Sequence, residues 1–236
     1  MRIEPYTTGD IIHAYNRGNR KMPIVHDEND RWRFLKILRY FNDEYSPPRI
    51  FSEIADLQRS NLCKPFEWPI SWPEHRPLVK IIAYHLTNNH FHLLLKEINN
   101  GGISLFMKKI GDGFTGYINA KYKETGKLFQ GSYKGRTPKD EKGLQYLDAY
   151  VQVFNPFEIY PGGIEKSLKE FNKAFEFAIK YPFCSLGESF GKRNLGIIDR
   201  DVLKEIFPSL EIYKDFAYDA LMVRNIREIL GKEIIE

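Results

Sequence analysis

The sequence predicts an α+β fold in which two helices, beginning near Asn29 and Ile103, cover one face of an antiparallel sheet of four or five strands. Three observations predict it. A segment of alternating apolar and polar residues precedes the first helix, and a β-hairpin pattern lies between the two helices. In each of the two helices, apolar residues recur at helical intervals. Elements in this order are typical of a sheet whose helices pack on one side.

The composition limits the class of protein. A chain of 236 residues with 42% hydrophobic residues is long enough for one compact domain with appended helices. A formal charge of +4 permits nucleic-acid binding without requiring it. Cys63 and Cys184 lack Cys-x-x-Cys spacing and predict neither a zinc ribbon nor a disulfide framework. No apolar run approaches the roughly 20 residues that span a bilayer, and no signal-peptide core is apparent, so we expect a cytoplasmic protein without a membrane partner.

The first strand is predicted over residues 11–16, which alternate sufficiently for a strand. The first helix is predicted from an N-cap at Asp27 or Asn29 to about Tyr45, with an apolar stripe that faces the core. Residues 46–77 contain six prolines, which forbid a long regular element, so we predict an insertion with one short helix. That helix is expected over residues 51–62. Aromatic residues among prolines more often hold a loop on the core than stack on bases, and we expect this of Phe66, Trp68 and Trp72.

The hairpin over residues 78–96 contains the most informative pattern in the chain. Two apolar segments flank a polar Thr-Asn-Asn turn, and the second segment begins His90-Phe91-His92. Because side chains alternate along a strand, the two histidines should share a face about 7 Å apart, with Phe91 on the opposite side. Such a pair can converge on one divalent ion. The alternative is a pair of histidines on a half-buried strand without a ligand.

Two loops combine positive charge with residues that suit DNA binding. The first, after the first strand, contains Arg17, Asn19, Arg20 and Lys21 and can hold a phosphate backbone. The second lies in residues 124–138, after a helix predicted over 103–123 in which Gly111 and Gly113 indicate a kink or a close contact. Cations beside aromatic rings are the usual pattern for binding a single strand. The second loop supplies Lys127, Phe129, Gln130, Tyr133, Lys134 and Arg136. The alternatives are a solvated turn and an ordinary surface hairpin.

The C-terminal third is predicted to be helical. An amphipathic helix ends at Pro156, Gly162-Gly163 makes a break, and further helices are predicted at 167–181, 199–206 and 213–231. We therefore predict a catalytic domain over residues 1–160, which includes the insertion 46–77, and a helical extension over 161–236.

Four motifs in order along residues 11–157 resemble those of the single-tyrosine DNA transposases with a His-hydrophobe-His motif, in particular the REP-associated tyrosine transposases. Four ordered matches are specific, whereas one alone is weak. The motifs are Asn89-His90-Phe91-His92-Leu93-Leu94, Arg17-Gly18-Asn19 followed by a helix from about Asp30, Gly126-Lys127-Leu128-Phe129-Gln130-Gly131, and Tyr150-Val151-Gln152-Val153-Phe154-Asn155-Pro156.

The resemblance implies a ferredoxin-like sheet, a divalent ion (Mg²⁺ or Mn²⁺) on His90 and His92, and no small organic cofactor. It places the nucleophile at Tyr150, with Tyr146 in reserve one turn earlier, and a third metal ligand at Asn155. It also implies cleavage and transfer of hairpin-containing single-stranded DNA through a 5′-phosphotyrosine bond, in a prokaryotic cytosol and by a homodimer. Relatives of this kind can exchange the tyrosine helix between the two active sites of the dimer.

The sequence departs from the family at two places. The family places asparagine four residues after the tyrosine, whereas Tyr150 and Asn155 are five apart, which rotates them away from one helix face. A π-bulge of one residue would restore the match, so we predict such a bulge there or another ligand in place of Asn155. Thr87-Asn88 replaces the common Met-Pro, and we expect little effect on the ion.

Two other functions are compatible with these residues. The altered spacing suits a domesticated descendant that binds DNA hairpins without cutting them. An antiparallel sheet with two helices also occurs in RNA-binding modules, although the glycine-aromatic sheet motif of such modules is missing from the sequence.

Overall fold

The computed structural model describes residues 6–223. The four strands of this part of the chain are β1 (Ile11–Arg17), β2 (Val79–Leu86), β3 (His90–Glu97) and β4 (Lys134–Arg136). The longer helices are α1 (Glu28–Tyr40), α2 (Ile50–Arg59), α3 (Gly102–Tyr122), α4 (Glu141–Ala149), α7 (Phe171–Lys180) and α10 (Leu210–Tyr218). The shorter helices are α5 (Asn155–Glu158), α6 (Gly163–Lys169), α8 (Leu186–Ser189) and α9 (Asp201–Ile206).

The strands form one antiparallel sheet in the order β2-β3-β1-β4, so the predicted α+β fold is confirmed. Tyr15 of β1 lies opposite His92 of β3, which lies opposite His85 of β2. A short segment around Cys184 runs beside β2, where Ser185 N donates to Tyr84 O at 2.9 Å. One row of residues therefore crosses the sheet through His92.

Helices α1 and α3 cover one face of the sheet, as predicted. The ring of Phe34 lies 5.1 Å from that of Phe91 and 5.2 Å from that of Phe114, measured between centroids. Gly113 of α3 makes the predicted close contact, because a Cβ there would lie 2.3 Å from the Phe41 ring. A Cβ at Gly111 would meet nothing within 4 Å.

The other face is covered by α4, α5 and the helices that follow. Its core joins Leu94 of the sheet to Leu147 of α4 and to Phe175 and Tyr213 further along the chain. Residues on both sides of position 160 thus contribute to one core, and the division into two parts at that position stays a prediction.

Helix α1 begins as predicted and ends earlier. Asp27 caps it, and its side chain accepts a bond from Asp30 N at 2.9 Å while the Asp30 carboxylate accepts one from the Asp27 backbone. The helix ends at Tyr40 rather than near Tyr45. Just beyond it, the Asn42 amide donates to Val79 O at 2.9 Å and accepts from Val79 N at 3.0 Å. These bonds hold the chain against β2, which the apolar stripe of α1 could not indicate.

The proline-rich insertion contains the short helix α2, which ends at Arg59, three residues before the predicted end. Phe66 and Trp72 are buried, as expected for rings that hold a loop on the core. The Trp72 Nε1–H donates to Glu53 of α2 at 3.2 Å, and the Trp68 ring packs edge-on against it at 5.0 Å.

The C-terminal helices differ in their bounds from the prediction. The helix predicted over 167–181 is two helices, α6 and α7, broken at Glu170. The helix predicted from 213 begins at Leu210 and becomes π-helical over Asp219–Val223, and its predicted part over 224–231 lies outside the described residues. No helix within residues 6–223 has the length and apolar character needed to cross a membrane.

Candidate active site

The two histidines of β3 share a face of the sheet. The His90 and His92 ring centroids are 5.0 Å apart with perpendicular planes, and Phe91 is buried on the opposite face. The alternation predicted from the strand period is therefore confirmed. His92 is almost fully buried and His90 is partly exposed, so the pair extends from the interior toward the strand end.

Neighbouring groups orient both imidazole rings. His90 Nδ1 lies 2.8 Å from Thr87 Oγ1 and 2.7 Å from Asn89 Oδ1. His92 Nδ1 lies 2.8 Å from Nε2 of His13 on β1. These contacts leave the Nε2 atom of each ring for a ligand, and His92 Nε2 is buried with no hydrogen-bond partner among residues 6–223. Thr87 thus contacts His90 directly, and the small effect expected of its replacement on the ion stays a prediction.

Burial keeps these histidines uncharged at neutral pH. It lowers the pKa of His92 well below its ordinary value. Burial, reinforced by the nearby positive charge of Arg136, lowers the pKa of His13 to about 3. For His90, burial and then the charge of Arg17 lower the pKa to about 4. A neutral imidazole has a free lone pair, which is the form that binds a metal ion.

The helix that follows α4 contains the predicted π-bulge. Residues Tyr150–Phe154 are π-helical, and Asn155 N donates to Tyr150 O five residues earlier. This extra residue brings the Tyr150 ring to 5.5 Å from the His92 ring and 6.1 Å from the His13 ring. The Asn155 amide also donates to Tyr150 O at 3.0 Å. Its Oδ1 is buried and has no partner among the described residues.

The two candidate tyrosines have different surroundings. Tyr150 lies edge-on to His92 and is 2% exposed, so access to it requires some movement of the atoms around it. Tyr146 packs its ring 5.4 Å from Phe216 of α10. Of the two, Tyr150 is the one in ring contact with the histidine pair.

The donor atoms present fit a divalent ion. His90 and His92 offer oriented Nε2 atoms, and Asn155 offers a buried amide oxygen without a partner. In residues 6–223 no group of three or more His, Cys, Asp and Glu side chains is arranged to hold a metal. Asn155 is outside these residue types, and its oxygen remains the predicted third ligand.

A buried polar network fastens the tyrosine helix to the later part of the chain. Gln152, inside the π-helical turn, donates to both carboxylate oxygens of Asp148 at 2.8 and 2.9 Å. Its Oε1 accepts from the hydroxyls of Ser185 and Ser189 at 2.7 and 2.8 Å. Burial raises the pKa of Asp148 to about 7. The network thus fastens the helix of Tyr150 to the segment that runs beside β2.

The first basic loop begins beside the histidine pair, because Arg17 lies opposite His90 in the sheet register. Asn19, Arg20 and Lys21 form an exposed 3₁₀ turn. Arg20 and Lys21 have φ values of 53° and 64°, in the left-handed region that costs free energy outside glycine. The turn holds two cations at the surface in a fixed backbone conformation.

The second loop is joined to the first. Gln130 N donates to Arg17 O at 2.9 Å, and Phe129 is buried with its ring 5.7 Å from that of Phe91. Tyr133 is half-buried and, with Lys127, lines a groove of about 650 Å³ between the loop and α3. The remaining predicted cations, Lys134 and Arg136, lie on β4 at the edge of the sheet. Phe129 therefore packs in the core, and Tyr133 is the more accessible ring.

Comparison with known proteins supports the family read from the motifs. Residues 74–153 match the model of the family described as IS200-like transposases. The predicted resemblance is confirmed over these residues, which include β2, β3, α3 and the helix of Tyr150. Asn155 lies just beyond the match.

The chain is also similar to a solved structure. That structure is described as a REP-associated tyrosine transposase bound to a REP hairpin. It is 13% identical, the match covers 85% of this chain and 88% of that chain, and the TM-score is 0.47. No curated protein matches the chain.

Three residues that contribute to this site were not predicted from the sequence. His13 is one of six histidines and lies in no local motif with His92. In the sequence, Thr87 differs from the family's motif but carries no sign of a contact with His90. Gln152 stands between two valines in the tyrosine helix. A polar residue in such an apolar segment was the signal that could have indicated a buried hydrogen bond.

Proposed function

We propose that this protein is a metal-dependent endonuclease and strand transferase that acts on hairpin-containing single-stranded DNA through a 5′-phosphotyrosine intermediate. The single observation that carries the proposal is the π-helical turn, which sets Tyr150 against His92 in spite of the altered spacing to Asn155. π-bulges are rare and frequently occur at functional sites.

Each side chain has a chemical role in the proposal. The Tyr150 hydroxyl loses its proton and its oxygen attacks phosphorus, the P–O3′ bond breaks, and the 3′ oxygen takes a proton to become a free hydroxyl. His90, His92 and Asn155 would hold Mg²⁺ or Mn²⁺, which supplies polarisation and orientation of the phosphate when bound. The covalent bond to Tyr150 keeps the energy needed for the later joining step.

The proposed DNA partner is supported by the two joined basic loops. Arg17 lies opposite His90 in the sheet, and the exposed Lys21 and Lys127 add positive charge to the same two loops. A single strand bound along these cations would pass the histidine pair. The second proposed partner is another copy of this chain, which the resemblance to the single-tyrosine transposases implies. Tyr150 contacts His92 of its own chain, so a dimer with the site in this form requires no exchange of the tyrosine helix between subunits.

The proposal is tested by incubating the full chain with a labelled DNA hairpin that has single-stranded flanks, together with Mn²⁺ or Mg²⁺. We expect a covalent protein–DNA adduct under denaturing conditions. Tyr150→Phe removes one oxygen and should abolish the adduct with little change in stability, whereas the matched variant Tyr146→Phe should retain it. An adduct in Tyr150→Phe and none in Tyr146→Phe would move the nucleophile one turn back.

A second candidate function is hairpin binding without cleavage, and one observation favours it. Tyr150 is 2% exposed, so in this conformation a phosphate has little access to its ring. The same assay distinguishes the two functions. Specific binding of the DNA hairpin without an adduct at any metal concentration would support the binding protein, and preference for an RNA hairpin would support the RNA-binding alternative.

A further inference from the structure

A third histidine is bonded to the pair without belonging to its motif. His13 Nε2 lies 2.8 Å from His92 Nδ1, the ring centroids are 5.0 Å apart, and the planes differ by only 14°. Nearly coplanar rings with this short contact are the geometry of a hydrogen bond in the ring plane. Both residues are buried, and β1 and β3 pair directly, so the sheet itself fixes the contact.

The direction of this hydrogen bond decides what His92 can do. A neutral imidazole has one N–H and one lone pair. If His92 donates from Nδ1, its Nε2 keeps a lone pair, and His13 Nε2 is the acceptor. If His13 donates instead, the proton of His92 lies on Nε2, and that nitrogen cannot bind an ion. Only the first arrangement makes His92 a ligand.

We infer that His13 is a positioning residue, which accepts the proton of His92 Nδ1 and so presents His92 Nε2 to a divalent ion. The inference rests on the proposed function. Groups that orient a ligating histidine in this way raise metal affinity by about 10–100-fold in other sites. Without an acceptor at position 13, the His92 Nδ1–H would be buried and unpaired, which opposes the ligand form.

His85 provides a matched control on the same sheet. It is also fully buried, it lies directly opposite His92 on β2, and neither of its ring nitrogens has a hydrogen-bond partner among residues 6–223. A substitution at His85 therefore removes a neighbouring imidazole of equal burial without removing the bond to His92 Nδ1.

The test titrates the full chain with Mn²⁺ alone at neutral pH and measures the dissociation constant by calorimetry or by electron paramagnetic resonance of free Mn²⁺. We expect His13→Phe to weaken Mn²⁺ binding about 10–100-fold. His13→Gln, whose amide oxygen can still accept the bond, should lose at most a few-fold. His85→Phe should bind as the unaltered protein does. Thermal unfolding of each variant checks that it is folded.

A second measurement reports the proton itself. Nitrogen-15 spectra of the histidine rings with Mg²⁺ present should show the proton of His92 on Nδ1 in the unaltered protein and in His13→Gln, and not in His13→Phe. Equal Mn²⁺ affinity and an unchanged His92 tautomer in His13→Phe would overturn the inference and leave the proposed function intact. An unaltered protein that binds no Mn²⁺ would overturn both.

Discussion

Strand β3 contributes to two faces of the sheet that differ in kind. On the face covered by α1 and α3, Phe91, Leu93 and Leu95 are buried among apolar side chains. On the opposite face, the His92 ring contacts the rings of His90 and Tyr150, in a setting of aromatic rings and buried polar groups. The strand is the same, and only the alternation of side chains separates the two environments.

The two faces should therefore respond differently to substitution. Removal of apolar atoms from the α1–α3 face leaves a cavity and costs stability. The polar groups of the other face contribute through orientation and charge, and each buried one needs a partner. Substitutions at neighbouring residues of β3 therefore separate stability from chemistry.

The largest expected effect is on cleavage. His90→Ala should reduce adduct formation by about 1,000-fold or more, because several kcal/mol of transition-state stabilisation depend on the ion. Because His90 is partly exposed, the free energy of unfolding should change by less than about 1 kcal/mol in this variant. His92→Ala should abolish cleavage as well. Hairpin affinity, measured by fluorescence anisotropy, should change little in both, and full cleavage by the double variant would contradict the mechanism.

The adjacent residue should behave in the opposite way. Phe91→Ala should lower the free energy of unfolding by about 3–5 kcal/mol, because its buried ring packs on Phe34. Urea unfolding measures this loss, and Phe91→Leu, which fills more of the space, should lose less. A loss of unfolding free energy below 1 kcal/mol in Phe91→Ala, or equal losses in Phe91→Ala and His90→Ala, would contradict the difference between the two faces.

The buried carboxyl of Asp148 should make stability depend on pH. Its pKa is raised from 3.8 to about 7 by burial, so the folded state holds a proton that the unfolded chain has lost in this range. The contribution to stability is complete below about pH 3.8 and is lost as the pH rises through 7. The total is on the order of 4 kcal/mol.

Asp148→Asn should remove this part of the pH dependence, measured as unfolding free energy at several pH values. The control is Asp112→Asn, an exposed residue whose ion pair with Lys108 is at the surface, and it should keep the dependence. If the unfolding free energy changed between pH 4 and 7 by the same amount in the unaltered protein, in Asp148→Asn and in Asp112→Asn, a raised pKa at Asp148 would be ruled out.

The smallest expected effect belongs to the exposed loops. Lys127→Ala should weaken hairpin binding by less than about 1 kcal/mol and should reduce the slope of log affinity against log salt by about 0.7, the value for one contact with a single strand. Lys173→Ala, an exposed lysine on α7, serves as the control and should leave the slope unchanged. A slope that Lys127→Ala leaves intact would exclude this loop from the phosphate contacts.

The parts of the fold that follow from local pattern could be predicted. The hairpin, the common face of His90 and His92, the capping at Asp27 and the bulge before Asn155 each depend on residues close together in the chain. Helix ends were less predictable. The early end of α1 depends on Asn42, whose side chain bonds to Val79 in a strand 37 residues later.

The alternation of β3, the order of strands and helices along the chain, and the need for a π-bulge follow from sequence alone, because periodicity fixes which side of an element each residue occupies. The contact of His13 with His92 across 79 residues, and the bonds from Ser185 and Ser189 to Gln152, became visible only in the folded structure. The physical reason is that strand register and helix docking are set by the packing of the whole core, and a single polar residue has no periodic signal that names its distant partner.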